Sequence, residues 1–110
     1  MLTEFQEKWL QALESGEYTQ GRGELRSATN SYCCLGVACD LYDSNAWVKI
    51  NNWWYYDYSS DLIEPETGVG STLRLRDKMA KVLAVKNDSG HTFTEIAAYI
   101  RAHESEVFDN

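Results

Sequence analysis

The residues of this chain that could do chemistry are a run of aromatic side chains and a small set of arginines. The run AWVKINNWWYYDY covers residues 46–58 and contains Trp53, Trp54, Tyr55 and Tyr56. Aromatic rings stack on planar ligands, whereas arginines bind phosphates and carboxylates. The combination is typical of a site for a small anionic ligand such as a nucleotide. The arginines that could complete such a site are Arg22, Arg26, Arg74 and Arg76.

Two further patterns among the basic residues are weaker evidence for an anion site. Arg22 lies between Gly21 and Gly23, but the sequence has neither G-x-x-x-x-G-K-[ST] nor G-x-G-x-x-G, so a phosphate-binding loop is disfavoured. Five of the ten basic residues fall in residues 73–86, where Asp77 is the only acid. This segment is either a solvated helix face that offsets acidic surface, or a local anion site.

Three cysteines, Cys33, Cys34 and Cys39, are the other reactive groups. An odd number of cysteines without a secretory signal indicates reduced, cytoplasmic thiols. Their spacing, and that of His91 and His103, does not fit the ligand pairs of a zinc site. Small buried thiols are the favoured interpretation, and a Cys–His nucleophile is the alternative that the sequence leaves open.

The common catalytic patterns are missing from the sequence. It contains no G-x-S-x-G, no H-E-x-x-H and no P-loop, and no pair of carboxylates stands out as an acid/base couple. We therefore expect a protein that is not an enzyme and that uses no cofactor and no metal.

Composition and charge restrict the partners. The chain has 110 residues, 44% of them hydrophobic, which suits a single domain over residues 1–110. A net charge of −7 argues against binding to duplex DNA, which needs a basic surface. No apolar run approaches the ~18–20 residues that span a bilayer, and the acidic start MLTEFQEKWLQ does not fit a signal peptide. We expect a cytoplasmic protein without membrane contact.

Apolar periodicity and helix-capping residues predict four helices. Thr3 with Gln6, and Thr92 with Glu95, form capping boxes at the start of the first and last helices. Gly36 inside the second helix predicts the close approach of another backbone. The acidic tail 104–110 is predicted to fray. The predicted helices cover residues 3–15, 34–42, 73–86 (capped by Ser71 or Thr72) and the segment after Thr92.

Two β-hairpins complete the prediction, which is an α+β fold in a single small domain with about four helices. The first hairpin pairs residues 24–27 with 31–34, and the second pairs 47–50 with 53–58 around the turn Asn51-Asn52. Alternation places Trp54, Tyr56 and Tyr58 on one face of the second hairpin, with Trp53 and Tyr55 on the other. The sequence does not decide which face is buried. The long segment 59–72 is predicted to be a surface loop.

Two aromatic faces are more than a small sheet needs for its own core. A loop, a partner subunit in a homo-oligomer or a ligand must then cover the second face, because exposed aromatic patches are typical of binding surfaces. Trp and Tyr are also favoured anchors of protein interfaces, and an acidic chain associates quickly with a basic partner.

Three blocks of the sequence together are similar to a known group of proteins. They are W-x-x-A-L-x-S-G-x-Y-x-Q-G at residues 9–21, Y-C-C-L-G-V-A-C-D at residues 32–40, and N-D-x-G-x-T-F-x-E-I-A at residues 87–97. The chain resembles a family of small uncharacterised proteins encoded by tailed bacteriophages and prophages. The resemblance implies a phage accessory protein made in the bacterial cytoplasm, in a class that often blunts host defences, and it implies no catalytic residues.

Three functions are compatible with these observations. The first is a counter-defence protein that binds and sequesters a small anionic ligand, such as a nucleotide signal of a host immune pathway. The second is an acidic inhibitor that binds a host enzyme at a basic surface. The third is an enzyme that depends on one of the cysteines.

Overall fold

The computed structural model describes residues 1–56 and 68–110. Over these residues the chain forms six helices around one antiparallel hairpin, which is an α+β fold. Among the described residues no helix is long and apolar enough to span a membrane. The elements are α1 (Glu4–Ser15), α2 (Cys34–Tyr42), β1 (Val48–Ile50), β2 (Trp53–Tyr55), α3 (Gly68–Leu73), α4 (Met79–Asp88), α5 (Phe93–Ala102) and α6 (Glu104–Val107).

Helix α1 forms as its sequence predicts. The Thr3 hydroxyl accepts from the Gln6 backbone N–H while the Gln6 side chain accepts from the Thr3 N–H, and Gly16 ends the helix at φ 79°. The apolar face of α1 packs against α2 and α5. Arg101 on α5 adds ion pairs to this contact, because its guanidinium binds the carboxylates of both Glu7 (2.6 Å) and Glu14 (2.8 Å) on α1.

Helix α2 is the centre of the core. Every residue from Cys34 to Cys39 is buried, and the Cys33 thiol caps the helix by accepting from the Gly36 N–H at 3.4 Å. The predicted close approach at Gly36 is confirmed, since a Cβ at this position would overlap the carbonyl group of Leu25. Trp9 adds a link to α1 by donating its indole N–H to the Cys34 carbonyl at 2.9 Å.

The predicted hairpin between residues 24–27 and 31–34 is reduced to a single antiparallel bridge between Arg26 and Tyr32. Hydrogen bonds from the Ser27 N–H to the Ser31 carbonyl (2.8 Å) and from the Cys33 N–H to the Leu25 carbonyl (3.2 Å) flank it. Tyr32 makes only single bridges, to Gln20 in parallel and to Arg26 in antiparallel orientation. Its N–H donates to the Thr19 carbonyl (2.8 Å) and its carbonyl accepts from the Gly21 N–H (2.7 Å), so its backbone is shared between two segments. A continuous ladder cannot form, because the next residues already begin α2.

The predicted helix 73–86 is also wrong at its start. Helix α3 ends at Leu73, α4 begins at Met79, and Arg74 (φ 58°) and Lys78 (φ 69°) turn the chain between them. Ser71 and Thr72 lie inside α3 and cap nothing. Val82, an apolar residue of the predicted helix 73–86, is exposed. The predicted loop 59–72 is helical from residue 68 onward, and its part up to residue 67 lies outside the described residues.

The prediction that the C-terminal tail frays is wrong, because the tail packs against the rest of the protein. Val107 and Phe108 are fully or almost fully buried, and Phe108 bridges to Leu75 in the segment between α3 and α4. Buried Gln6 donates to the Leu73 carbonyl (2.7 Å) and to the side chain of Asn110 (2.9 Å). The tail therefore belongs to the core, and long-range contacts hold it there.

The capping box of Thr92 and Glu95 at the start of α5 is confirmed. The second predicted hairpin is confirmed as well, with Asn51 (φ 51°) and Asn52 (φ 70°) in the left-handed conformations of a two-residue turn. Strand β2 ends at Tyr55, and residues 57–58 of the predicted strand lie outside the described residues.

Candidate functional site

The pairing register separates the side chains of the hairpin into two faces. Val48 pairs with Tyr55, Lys49 with Trp54 and Ile50 with Trp53, and directly paired residues project to the same side of a sheet. We call the side that carries Lys49, Trp54 and Tyr56 the inner face. The opposite side is the outer face, which consists of Val48, Ile50, Trp53 and Tyr55.

The inner face packs against the body of the protein through Trp47. Trp47 and Tyr56 are only 8% and 3% exposed, and their rings meet edge to face with centroids 5.1 Å apart. Trp54 meets Trp47 in the same manner at 6.3 Å. Such pairs stabilise a fold beyond the area that they bury. Trp54 and Tyr56 are thus the side that joins the core, which the sequence left undecided.

The rings of Tyr18, Tyr32, Trp47, Trp54 and Tyr56 form a chain of edge-to-face contacts, which we call the aromatic group. Arg26 lies across this group. Its guanidinium carbon is 3.7 Å from the ring centroid of Trp54 and 5.4 Å from those of Tyr32 and Trp47. Its Nε and Nη2 atoms both donate to the side-chain oxygen of Asn30, at 3.1 and 2.8 Å. The structure therefore brings Arg26 and Trp54 together, but the arginine itself covers a face of the ring that a base would stack on.

Asp40 on α2 anchors the other end of the group. One carboxylate oxygen accepts from the Trp47 indole N–H at 3.1 Å, and the other accepts from the Tyr18 hydroxyl at 2.7 Å. Burial raises the pKa of Tyr18 far above its ordinary value, and the hydrogen bond to Asp40 adds to the effect. Tyr18 therefore stays protonated and donates throughout the neutral range.

Trp54 carries an unusual polar atom. Its indole Nε1 is buried and has no hydrogen-bond partner among the residues that the structure describes. The ammonium of Lys49 is 5.4 Å from the centroid of the same ring. In the described part of the chain, neither Lys49 nor Arg26 forms an ion pair with a carboxylate. Two cations thus lie against the ring of Trp54, whose own indole N–H has no partner among the described residues.

The outer face remains open. Val48, Ile50 and Trp53 are each 54% exposed, and Tyr55 is half-buried. Soluble proteins rarely leave neighbouring large apolar side chains exposed without a function. The four side chains lie on adjacent strands and make one apolar surface beside the Asn51-Asn52 turn.

The other predicted arginines lie elsewhere. Arg22 is exposed and makes no side-chain hydrogen bond or ion pair within residues 1–56 and 68–110. Arg74 donates to the Asp109 carbonyl and Arg76 to the Ser105 carbonyl, both at 2.8 Å. These two arginines hold the C-terminal segment, and their contacts do not include the hairpin.

Comparison with known proteins identifies the family of this chain. Residues 1–69 match the family described as Domain of unknown function (DUF8296). The chain belongs to this family. No curated protein and no solved structure matches it. The whole aromatic group, from Tyr18 to Tyr56, lies inside the residues that match DUF8296, whereas Arg74 and Arg76 lie beyond them.

Sequence reasoning missed a buried polar centre in this DUF8296 chain. The Asn87 side chain, fully buried at the end of α4, accepts from the Gln20 side chain (2.9 Å) and from the Cys34 N–H (3.2 Å). It also donates to the Gly21 carbonyl at 2.8 Å. The three sequence blocks at residues 9–21, 32–40 and 87–97 therefore meet at one side chain. A turn motif that begins with Asn-Asp after an apolar helix was the only available signal.

The cysteines are buried and do not form an exposed nucleophile. Burial raises the pKa of the Cys33 thiol to about 11 and that of Cys34 well above its ordinary value. The Cys34 thiol is directed at the Leu83 carbonyl at 3.6 Å. Thiols in such surroundings are protonated at neutral pH and react slowly. The described residues contain no group of three His, Cys, Asp or Glu side chains that could hold a metal.

Proposed function

We propose that this chain is a non-enzymatic phage accessory protein that works in the cytoplasm of an infected bacterium and binds a host protein through the outer face of its hairpin. The observation that carries the proposal is the exposure of Val48, Ile50 and Trp53, each 54%, beside one another on a two-stranded sheet. Tyr and Trp at the centre of an apolar patch are the usual anchors of protein interfaces.

A protein partner suits this surface better than a small planar ligand. Trp53 and Arg26 lie on opposite sides of the hairpin, so the base and the phosphates of one nucleotide would have to reach both faces. The outer face has no lysine or arginine among its four residues. Its apolar groups favour a partner that excludes water over a wide area.

The charge of the chain indicates the chemistry of the partner. A net charge of −7 accelerates association with a basic surface and opposes binding to duplex DNA. The partner is therefore a host protein whose apolar patch is bordered by lysines and arginines, as on many enzymes that act on nucleic acids. Occupation of that patch would inhibit the enzyme.

The test is capture of host proteins on the immobilised chain, followed by calorimetry with each purified candidate. The decisive variant is Trp53→Ser, which removes the most exposed ring of the outer face. An anchor residue of this kind contributes about 2 kcal/mol or more, so affinity should fall roughly 30-fold or more. The control is Tyr42→Ser, which removes another exposed ring, on α2, and should leave affinity unchanged.

Two results would contradict the proposal. One is a host protein that binds wild type and Trp53→Ser with equal affinity. The other is a homodimer closed by the outer face, which light scattering would reveal as a mass that halves in Trp53→Ser. Circular dichroism of each variant confirms that the fold is retained, since Trp53 lies on the surface and its loss costs about 1 kcal/mol or less.

A second candidate function is supported by a separate observation. Arg26, Lys49 and the free indole N–H of Trp54 form a group of donors that could hold a small anion, such as the phosphate of a nucleotide signal. Titration with inorganic phosphate and with cyclic nucleotides, followed by tryptophan fluorescence, tests this site. Saturable quenching in wild type that disappears in Lys49→Ala would support it, and no change at millimolar concentration would exclude it.

A further inference from the structure

The solvent-exposed side of α4 carries a second apolar strip, which is separate from the outer face of the hairpin. Val82 and Val85 are 37% and 53% exposed and lie one turn apart. A shallow groove of about 690 Å³ follows them, lined by the two valines and by Lys78, Lys81 and Lys86. An amphipathic helix normally buries its valines, so this strip lacks a partner within the described part of the chain.

The charge around the strip has the opposite sign to that of the protein. Three of the five lysines of a chain with net charge −7 line this groove. None of the three forms an ion pair with a described carboxylate. Lys86 is held in place because its ammonium lies 4.2 Å from the ring centroid of Tyr99. The groove is therefore a local positive site within an acidic surface.

A smaller cavity continues the groove toward the N-terminal loop. Its volume is about 300 Å³, and it shares Lys81 and Val85 with the groove. Gly23, Glu24 and Asp88 form its far wall. The Asp88 carboxylate is already used, since it accepts from the Gly23 N–H at 2.9 Å. The two concavities adjoin at Lys81 and Val85, and we refer to them together as the channel. The described carboxylates that line it, Glu24 and Asp88, belong to the smaller cavity.

We infer that this channel is a docking site for an acidic amphipathic segment of a partner protein. Apolar side chains of such a segment would cover Val82 and Val85, and its carboxylates would pair with the three lysines. Charge complementarity selects this occupant. The strip between the lysines is apolar and has no aromatic ring for stacking bases, which disfavours single-stranded nucleic acid.

The experiment uses the full chain and a synthetic helical peptide of about 16 residues, with a leucine stripe flanked by glutamates. NMR titration of the ¹⁵N-labelled chain should give saturable shifts confined to α4 and the neighbouring loop around residues 23–24. Lys81→Glu and Val85→Asp should each weaken binding at least about tenfold. Lys8→Glu makes the same charge change on exposed α1 and should leave the affinity unchanged.

Several outcomes would overturn the inference. These are no shifts up to about 1 mM peptide, equal binding of a peptide with lysines in place of the glutamates, or equal weakening by Lys8→Glu. Tighter binding of a single-stranded oligonucleotide or of anionic lipid vesicles at the same residues would also overturn it. Because Val85→Asp leaves the outer face unaltered and Trp53→Ser leaves the channel unaltered, this inference and the proposed function fail independently.

Discussion

The carbonyl oxygen of Leu25 occupies the space that a side chain on residue 36 would need. Gly36 lies inside α2, where glycine is unfavourable by up to about 1 kcal/mol compared with alanine. The same Leu25 oxygen accepts from the Cys33 N–H at 3.2 Å at the start of the helix. Glycine at position 36 therefore lowers the helix propensity of α2, but it allows the backbone of Leu25 to pack directly on the helix.

Gly36→Ala tests this contact, because the sign of the change in the free energy of unfolding depends on it. Helix propensity alone would stabilise the protein, whereas overlap with the Leu25 backbone forces a shift that costs more. We expect a net loss of about 2 kcal/mol or more in the free energy of unfolding, measured by urea denaturation. A gain in stability would show that no backbone lies against this position.

Asn87 is expected to be the most sensitive polar residue. Asn87→Ala leaves the Cys34 N–H and the Gly21 carbonyl without their partner in a buried site. Buried groups that lose their partners cost about 1–3 kcal/mol each, so a loss of roughly 2–4 kcal/mol is expected. Asn45→Ala, at an exposed asparagine, is the matched control and should change stability by less than about 0.5 kcal/mol. Equal effects of the two variants in denaturation experiments would refute the role of Asn87.

Two tryptophans of the aromatic group should respond differently to the same substitution. Trp47→Phe removes the donor that Asp40 accepts from, whereas Trp54→Phe removes an N–H that has no partner among the described residues. We expect a loss of about 2–3 kcal/mol for Trp47→Phe and a change within about 1 kcal/mol for Trp54→Phe. Thermal or urea unfolding gives both values. The reverse order would mean that the hydrogen bond to Asp40 contributes little.

Stability should fall in alkaline solution. The folded-state pKa of Cys33 is about 11, raised from 9.0 by burial, so the folded chain holds this proton more tightly than the unfolded chain. The contribution is fully present below pH 9 and is lost as the pH rises toward 11, with a slope of about 1.4 kcal/mol per pH unit for one group. Urea denaturation at pH 8, 9 and 10 measures the decline.

Cys33→Ser separates the thiol from the other groups. Serine keeps a side-chain acceptor at the cap of α2 but does not titrate in this range. The variant should therefore lose less stability between pH 9 and pH 11 than wild type, while Cys34 and Tyr18, whose pKa values are also raised, continue to contribute. An identical pH profile in the variant would show that Cys33 is not the titrating group.

The features that follow from neighbouring residues were predictable from the sequence. The Thr3 and Thr92 capping boxes and the Asn51-Asn52 turn each depend on a few adjacent side chains and on general backbone preferences. They were correct because no distant contact competes with them. A glycine inside helix α2 likewise indicates a close approach, although it does not identify Leu25 as the contact.

The features that depend on distant contacts were not predictable. Residues 74–78 have helical periodicity, but the contact of Leu75 with Phe108 turns the chain out of the helix and buries a tail that looks too acidic to pack. The predicted site failed to assemble as one unit for the same reason, because Arg74 and Arg76 hold that tail. Periodicity identified the two faces of the hairpin, but the contacts of Trp54 and Tyr56 with Trp47, a residue outside the paired strands, show which one is inside.

The central claim is that the outer face of the hairpin meets the partner while the inner face stays in the core. The most direct measurement is ¹⁹F NMR of the chain labelled with 5-fluorotryptophan, recorded with and without the captured host protein. We expect the Trp53 resonance to shift and lose its solvent-isotope effect on binding, while those of buried Trp9 and Trp47 stay in place. An unchanged Trp53 resonance in a saturated complex would contradict the account.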